Sequence, residues 1–434
     1  MPSWRLLGLR LAALACACGP VACASSAAVR AVERGDRVAL AEAIAARERK
    51  GDLSNRDAAR LAKTVAEHEL RESTGAEAVD RVRDSSPCAR ELDGALADRM
   101  ALRDAAGAHA ALARIEGGGL AAGRVGALSS GDDPEWRAVL ARGFVRAGDQ
   151  EARRQALLDP DPLVRREAAR AAQAARDGAD VDALAEAARL DPEPIVRTES
   201  VRALASLGDG RAPSVVERLR DLWGSADDGL REDIARAWSR SPLWEGGGRG
   251  ALLLLVASNH GPAAIEGAVA VLRARGADAE VADASLAQVE RAIEAGARGT
   301  RIQALAQAPL DRSELLDAVR HASASDDREI RVAALGRLAG AGEPGAVGAL
   351  EGLAAVGSPV APRARRALAM AGDRRVQSWI EEDLEAAQPD RRLAAAMELA
   401  ALGVAARGAP LLADADARVR TRAACTLIMA VRGK

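Results

Sequence analysis

The chain is 434 residues long, sets 61 basic against 63 acidic side chains for a formal net charge of −2, and is 49% hydrophobic with only 2% aromatic residues, no Tyr and one Phe. Near-neutral charge excludes the global field by which nucleic acid or an anionic lipid surface is attracted. Strands favour β-branched and aromatic residues whereas helices favour Ala, Leu, Arg and Glu, so this composition points to an all-α protein.

Arg5 and Arg10 precede an uncharged stretch over residues 11–24 that closes on Ala22-Cys23-Ala24. A positive start, a short apolar run and a small-x-small end describe a secretory signal over residues 1–24. The run is too short for a spanning helix of ~20 residues. Cys16 and Cys23 each follow a small residue, as the lipidated Cys of a bacterial lipoprotein signal does. The expected product is therefore exported to the periplasm or cell envelope, either soluble or lipid-anchored.

Residues 25–100 predict helices near 29–50 and 54–72 and are expected to form an N-terminal helical capping region, with Pro87-Cys88 in a loop. Cys88 and Cys425 stand 337 residues apart in the sequence. In a linear stack with helix layers 8–10 Å apart they would be about 90 Å from each other, against the ~5.5 Å of a disulfide. The expectation is no intramolecular bridge, with Cys425 a small buried hydrophobe and Cys88 a free or intermolecular thiol.

From residue 101 to 434 one pattern recurs: an apolar residue followed by Arg, Ala-rich positions at helical spacing, then Gly. The markers are Leu102, Trp136, Val164, Val196, Leu230, Ala264, Ala297, Ile330, Val360, Arg391 and Val419, at an average spacing of about 32 residues. That length suits two helices of about a dozen residues joined by short turns, repeated as a solenoid in which each unit needs only its neighbours. Aspartate stands six residues before the Arg in Asp159/Arg165, Asp191/Arg197 and Asp414/Arg420. Its recurrence at one hairpin position predicts bonding of the turn and of the neighbouring repeat.

Catalytic and metal-binding patterns are absent from the sequence. His68, His109, His260 and His321 fall in different repeats with no zinc-type spacing. There is no nucleophile elbow or phosphate loop, and the glycine clusters at 117–119 and 246–250 follow no strand. No metal, cofactor or catalytic residue is expected. One segment departs from the template: residues 239–250 form a long connection holding Trp244, with Trp223 and Trp238 just upstream. Trp and Arg are enriched in binding hot spots, which makes Trp223, Trp244 and Arg249 candidate partner contacts, although Trp223 and Trp238 are read first as core fillers.

The unit from Asp191 to Gly208, with Asp191-Pro-Glu-Pro-Ile-Val-Arg197 at its head, resembles the HEAT repeat, especially the short HEAT-like repeats of the phycobilisome-lyase type. The resemblance covers roughly residues 100–434 and implies an α-α superhelix, a right-handed solenoid of about 11–12 helical hairpins. It also implies that the Asp and Arg positions form a stabilising ladder and that the second helices line a concave surface used for protein binding. Ser225 and Ser325 stand where the pattern has Asp, and Ala361 where it has Arg. Iron-binding HEAT hydroxylases use repeated His-Glu pairs, whereas this chain offers only His68-Glu69 outside the regular array.

The function expected is that of a non-catalytic exported scaffold or adaptor holding a protein or peptide along its concave face. The alternatives are a regulatory or carrier subunit of an envelope enzyme and, third, a phycobilin-lyase-like enzyme. Purified mature protein is expected to give a helical far-UV circular dichroism spectrum and to contain no stoichiometric zinc or iron by elemental analysis.

Overall fold

The computed structural model describes residues 20–432 apart from 74, 85, 128–132, 208–210, 241, 259–260, 274–278 and 356–357. The signal residues up to Gly19, Cys16 among them, lie outside the described residues, as do His260 and the side chain of Cys23. The described residues hold twenty-five α-helices and no strand, so the fold is all-α and built of helical hairpins. No helix among them is long and apolar enough to cross a membrane.

The helices divide between two compact units, residues 1–101 with 377–434, and residues 102–376. The first unit begins with α1 (Pro20–Glu33), α2 (Arg37–Lys50), α3 (Asn55–Glu72), α4 (Glu77–Arg83), α5 (Ser86–Glu91) and α6 (Asp93–Ala101). The second holds α7 (Ala105–Gly117), α8 (Pro134–Gly143), α9 (Gln150–Leu157), α10 (Pro162–Ala175), α11 (Val181–Leu190), α12 (Pro194–Ser206), α13 (Ala212–Trp223) and α14 (Asp228–Trp238). It continues with α15 (Arg249–Ser258), α16 (Gly261–Arg273), α17 (Ala279–Ala295), α18 (Arg298–Gln307), α19 (Ser313–Ala322), α20 (Arg328–Gly340), α21 (Ala346–Ala354) and α22 (Ala361–Met370). The chain then returns to the first unit with α23 (Gln377–Asp383), α24 (Pro389–Ala401), a 3₁₀ segment Ala405–Ala413 and α25 (Ala417–Arg432).

In the second unit the second helix of each hairpin lies directly on the second helix of the next, from α8 through α10, α12, α14, α16, α18 and α20 to α22. Local chemistry starts these helices. Asp133 and Asp161 cap α8 and α10 with their side chains, and Pro134 and Pro162 occupy the first helical position, where a missing N–H costs nothing. Their packing faces are small: Ala168, Ala169, Ala171 and Ala172 of α10 are all buried, which lets neighbouring second helices approach closely. The marker positions Trp136, Val164, Val196, Leu230 and Ile330 are buried on these helices. Leu102 differs: it is 63% exposed in the turn before α7, because Asp104 caps that helix two residues later.

After α14 a π-helical turn, Trp244–Gly248, leads into α15 across a kink at Gly247, whose φ is 114°. Its glycines are dictated by close approach: a Cβ on Gly246 would sit 2.5 Å from the Ala212 Cβ, and one on Gly248 would sit 2.5 Å from the Trp238 carbonyl oxygen.

The first unit overturns the cysteine expectation. Cys88 and Cys425 form a disulfide with their Cα atoms 5.4 Å apart, and both are buried. The 90 Å estimate assumed that helices early and late in the chain lie at opposite ends of a stack. Instead α3 packs along α25, whose other flank carries α24, while α2 lies against the segment Ala405–Ala413. The pair α2–α3 thus takes the place of the hairpin that would follow α25. Residues 25–100, expected as a capping region, fall in one compact unit with residues 377–434.

Polar contacts fix that register. The Asn55 side-chain amide donates to the Gly403 carbonyl at 2.9 Å and its oxygen accepts from the Ala406 N–H at 2.8 Å, bonding the α24 turn as a strand edge would. Arg37 donates to the Ala415 carbonyl, and Arg422 and Arg432 pair with Asp84 and Glu91. Removing a native disulfide typically costs about 2–5 kcal/mol, and a loop this long lies toward the upper end of that range. The double variant Cys88→Ser/Cys425→Ser is expected to lose stability of that order in denaturant melts, with hydrogen exchange accelerating first in α3–α5 and α25.

Candidate interaction groove

The repeat Arg is a fork that bonds two hairpins at once. In α10, Arg165 Nη1 donates to the Asp159 and Pro160 carbonyls of its own turn, while Nε and Nη2 grip the Asp191 carboxylate of the next repeat at 2.7 and 3.1 Å. Arg392 repeats the geometry, with Nη1 on the Ala386 and Ala387 carbonyls and the fork on Asp414 at 2.7 and 3.0 Å. Arg137 grips Asp159 in the same bidentate manner. Asp and Arg of one repeat are therefore not ion partners: each Asp answers the Arg of the repeat before it. Each Asp also accepts the N–H two residues on, Asp159 from Asp161, Asp191 from Glu193 and Asp414 from Asp416.

Where Ser replaces the Asp, the next acid takes over. Asp227 and Asp327, two residues beyond Ser225 and Ser325, cap α14 and α20 and also receive Arg197 and Arg298. The ladder's last rung lands on the N-terminal segment, where Arg420 grips Glu69 of α3 at 2.7 and 3.1 Å while Nη1 holds the Asp414 and Ala415 carbonyls. Glu69 occupies the position of the missing Asp; the sequence showed it only as half of a His-Glu pair.

A second ladder, which the motif reading did not resolve, crosses the second helices. Arg170 bonds Glu116 and Glu199, Arg202 pairs with Glu199 and Asp233, and Arg236 with Asp233 and Glu266. Its signal was present as an acid three residues and an Arg six residues after the marker, in Glu167/Arg170, Glu199/Arg202 and Asp233/Arg236. On the second-helix face, where the resemblance puts binding, these charges are already satisfied by one another.

The Trp candidates are drawn inward. Trp223 stacks on the buried Trp238 with ring centroids 5.5 Å apart, and the Arg231 guanidinium lies 5.7 Å over the Trp223 ring. Trp244 is half-buried against the same core, and Arg249 is exposed at the start of α15. The structure does not gather Trp223, Trp244 and Arg249 into an open apolar surface.

An open groove lies elsewhere, between the first helices α9 and α11. Its volume is about 700 Å³, and a separate cleft beside His68 in the first unit has about 530 Å³. Both fall within the ~300–1,000 Å³ of ligand-sized sites. The walls of the α9–α11 groove are Gln150, Arg154, Leu157 and Leu158 on one side and Asp182, Ala183, Glu186, Ala187 and Leu190 on the other, and its end is closed by the rungs at Asp159, Arg165 and Asp191. Ala183 and Ala187 leave the space open. Leu158 and Leu190 precede the repeat Asp in consecutive hairpins and are 80% and 58% exposed, large apolar side chains in the same place twice.

Electrostatics separate these rungs. Burial acts to raise the Asp159 carboxyl, but Arg137 and the Asp161 N–H outweigh it and hold Asp159 below the usual carboxylate range. Asp227 is held low by the Leu230 N–H first and Arg197 second. A depressed carboxyl contributes stability that is fully present above its unfolded value of ~3.9 and is lost as pH falls through the lower folded value. Calorimetry between pH 7 and 3 is expected to show a flat melting temperature that drops below about pH 4, with a smaller drop in Asp159→Asn. Arg165→Ala, which strands the buried Asp191, is expected to cost about 2–4 kcal/mol, whereas Arg197→Ala at a half-exposed pair costs about 1 kcal/mol or less.

The family model described as HEAT repeats matches residues 122–205 and 151–239, which include α8 to α14 and the whole groove. No curated protein sequence matches the chain. Among solved structures, the X-ray structure of YibA from Escherichia coli is 14% identical and covers 69% of this chain and 98% of its own, at a TM-score of 0.28. That superposition is too loose to carry an argument. Over residues 122–239 the chain carries HEAT repeats, and the forks of Arg137 and Arg165 and the stacked second helices α8, α10, α12 and α14 lie within that match.

Proposed function

We propose that the protein is an exported, non-catalytic scaffold that holds a protein or peptide partner in the groove between α9 and α11. The observation that carries this reading is the pair Leu158 and Leu190, exposed at the same position of consecutive repeats on either side of an open groove. Exposed bulky apolar side chains flanking a cleft mark interaction sites. By contrast, the repeated charges of the second-helix face are paired among themselves. Among the described residues no three His, Cys, Asp or Glu side chains are grouped to hold a metal ion.

Export is supported by the leader with Arg5 and Arg10 and by the Cys88–Cys425 bridge, since stable disulfides belong to oxidising compartments. The test is crosslinking and mass spectrometry on native cell envelopes, reading the mature N-terminus in the same experiment. The expected result is a start beyond residue 15 and reproducible crosslinks from α9 and α11 to one partner. A cytosolic, full-length, reduced chain would overturn the export reading, and crosslinks confined to other helices would overturn the groove.

A further inference from the structure

We infer that the α9–α11 groove selects a short amphipathic helix carrying a Lys or Arg one turn away from a bulky aliphatic residue; this rests on the groove reading above and names the partner's chemistry. The argument is a charge inventory of the lining. Arg165 is spent on Asp191 and Asp159 on Arg137, both bidentate. Arg154 lies 3.6 Å from Glu151, and Asp182 is held by Arg218 at 2.7 Å. Among the described residues, Glu186 is the one charged side chain of the lining without an ion pair, and it is exposed. The unspent charge of the groove is therefore negative.

Spacing converts that charge into a pattern. On α11 Glu186 and Leu190 are four residues apart, so they share one face about 6 Å apart along the axis, and on the opposite wall Leu158 faces the same end. A cation opposite Glu186 and an aliphatic side chain between Leu158 and Leu190 satisfy both walls at once. An occupant helix offers that pair at positions i and i+4 on a single face, the usual way an amphipathic helix fills an apolar groove. An acidic segment would meet Glu186 with like charge, and a wholly polar one would leave Leu158 and Leu190 in water.

The test uses the intact oxidised protein and three labelled, amidated twelve-residue peptides with a helix-forming Ala background. One carries Leu and Lys four residues apart, the second has Glu for Lys, and the third has Ala for Leu. Fluorescence anisotropy is expected to show tightest binding of the Leu/Lys peptide. Leu158→Ser/Leu190→Ser, two exposed positions that leave the core intact, is expected to weaken it at least tenfold. Glu186→Lys is expected to weaken it a few-fold and to raise affinity for the Glu peptide, a reversal that general loss of structure cannot produce. Equal binding of the Lys and Glu peptides, or indifference to all three substitutions, would overturn the inference. Hydrogen-exchange protection by the native partner distinguishes the two levels. Protection of α9 and α11 with no peptide preference sinks only the partner chemistry, and protection confined to the second helices sinks the groove as well.

Discussion

The arginine fork is the interaction on which the array depends. One guanidinium bonds the two carbonyls of its own turn and the carboxylate of the next hairpin, so the shape of a turn and the spacing of two repeats are set by the same planar group. A Lys could not do this, because a point charge lacks the rigid fork that serves both partners. The Ala-rich faces beneath are permissive by comparison: small side chains allow close approach over a range of offsets, and the forks choose one. Where the fork's Asp is lost, at Ser225 and Ser325, the next acid assumes two duties, capping its helix and closing the rung.

The same fork explains how the first unit is assembled. Arg420 behaves as though another repeat followed, and Glu69 of α3 supplies the carboxylate. Asn55 satisfies the N–H and carbonyl of the preceding turn with one amide, and the disulfide fastens α5 to α25. An exposed terminal repeat is the weak point of a stacked array, since its apolar face has no neighbour. Here that face is covered by a hairpin drawn from the opposite end of the sequence.

Much of the fold was legible because helical hairpins leave periodic marks: the markers Trp136, Val164, Val196, Leu230, Ala264, Ile330, Arg391 and Val419 fall on second helices, Ala297 and Val360 stand at the N-caps of two others, and Asp159, Asp191 and Asp414 sit at their turns. Two kinds of fact were not. The partner of each Asp lies in a neighbouring repeat, and spacing within one repeat cannot reveal it. Contacts between distant helices leave no periodic signal at all, which is why Cys88 and Cys425 read as unrelated and Glu69 only as half of a His-Glu pair. The groove was hidden for a third reason: nothing in the spacing of Leu158 and Leu190 beside a repeat Asp marks them as exposed walls of an open groove. The Trp residues were ambiguous because aromatic rings suit both a core and an interface, and here Trp238 takes the core with Trp223 stacked on it.

Pairing the earliest helices with the latest has a consequence for biogenesis. Arg420 is polymerised 351 residues after Glu69, a delay of roughly 20–70 s at ~5–20 residues per second. Throughout that interval the apolar side of α3 has no resting place, and the thiol of Cys88 awaits a mate still to be translated. A ribosome that stalls before the final helix releases a product whose first hairpin stays naked, marked for chaperones and proteases by the surface that a finished chain conceals.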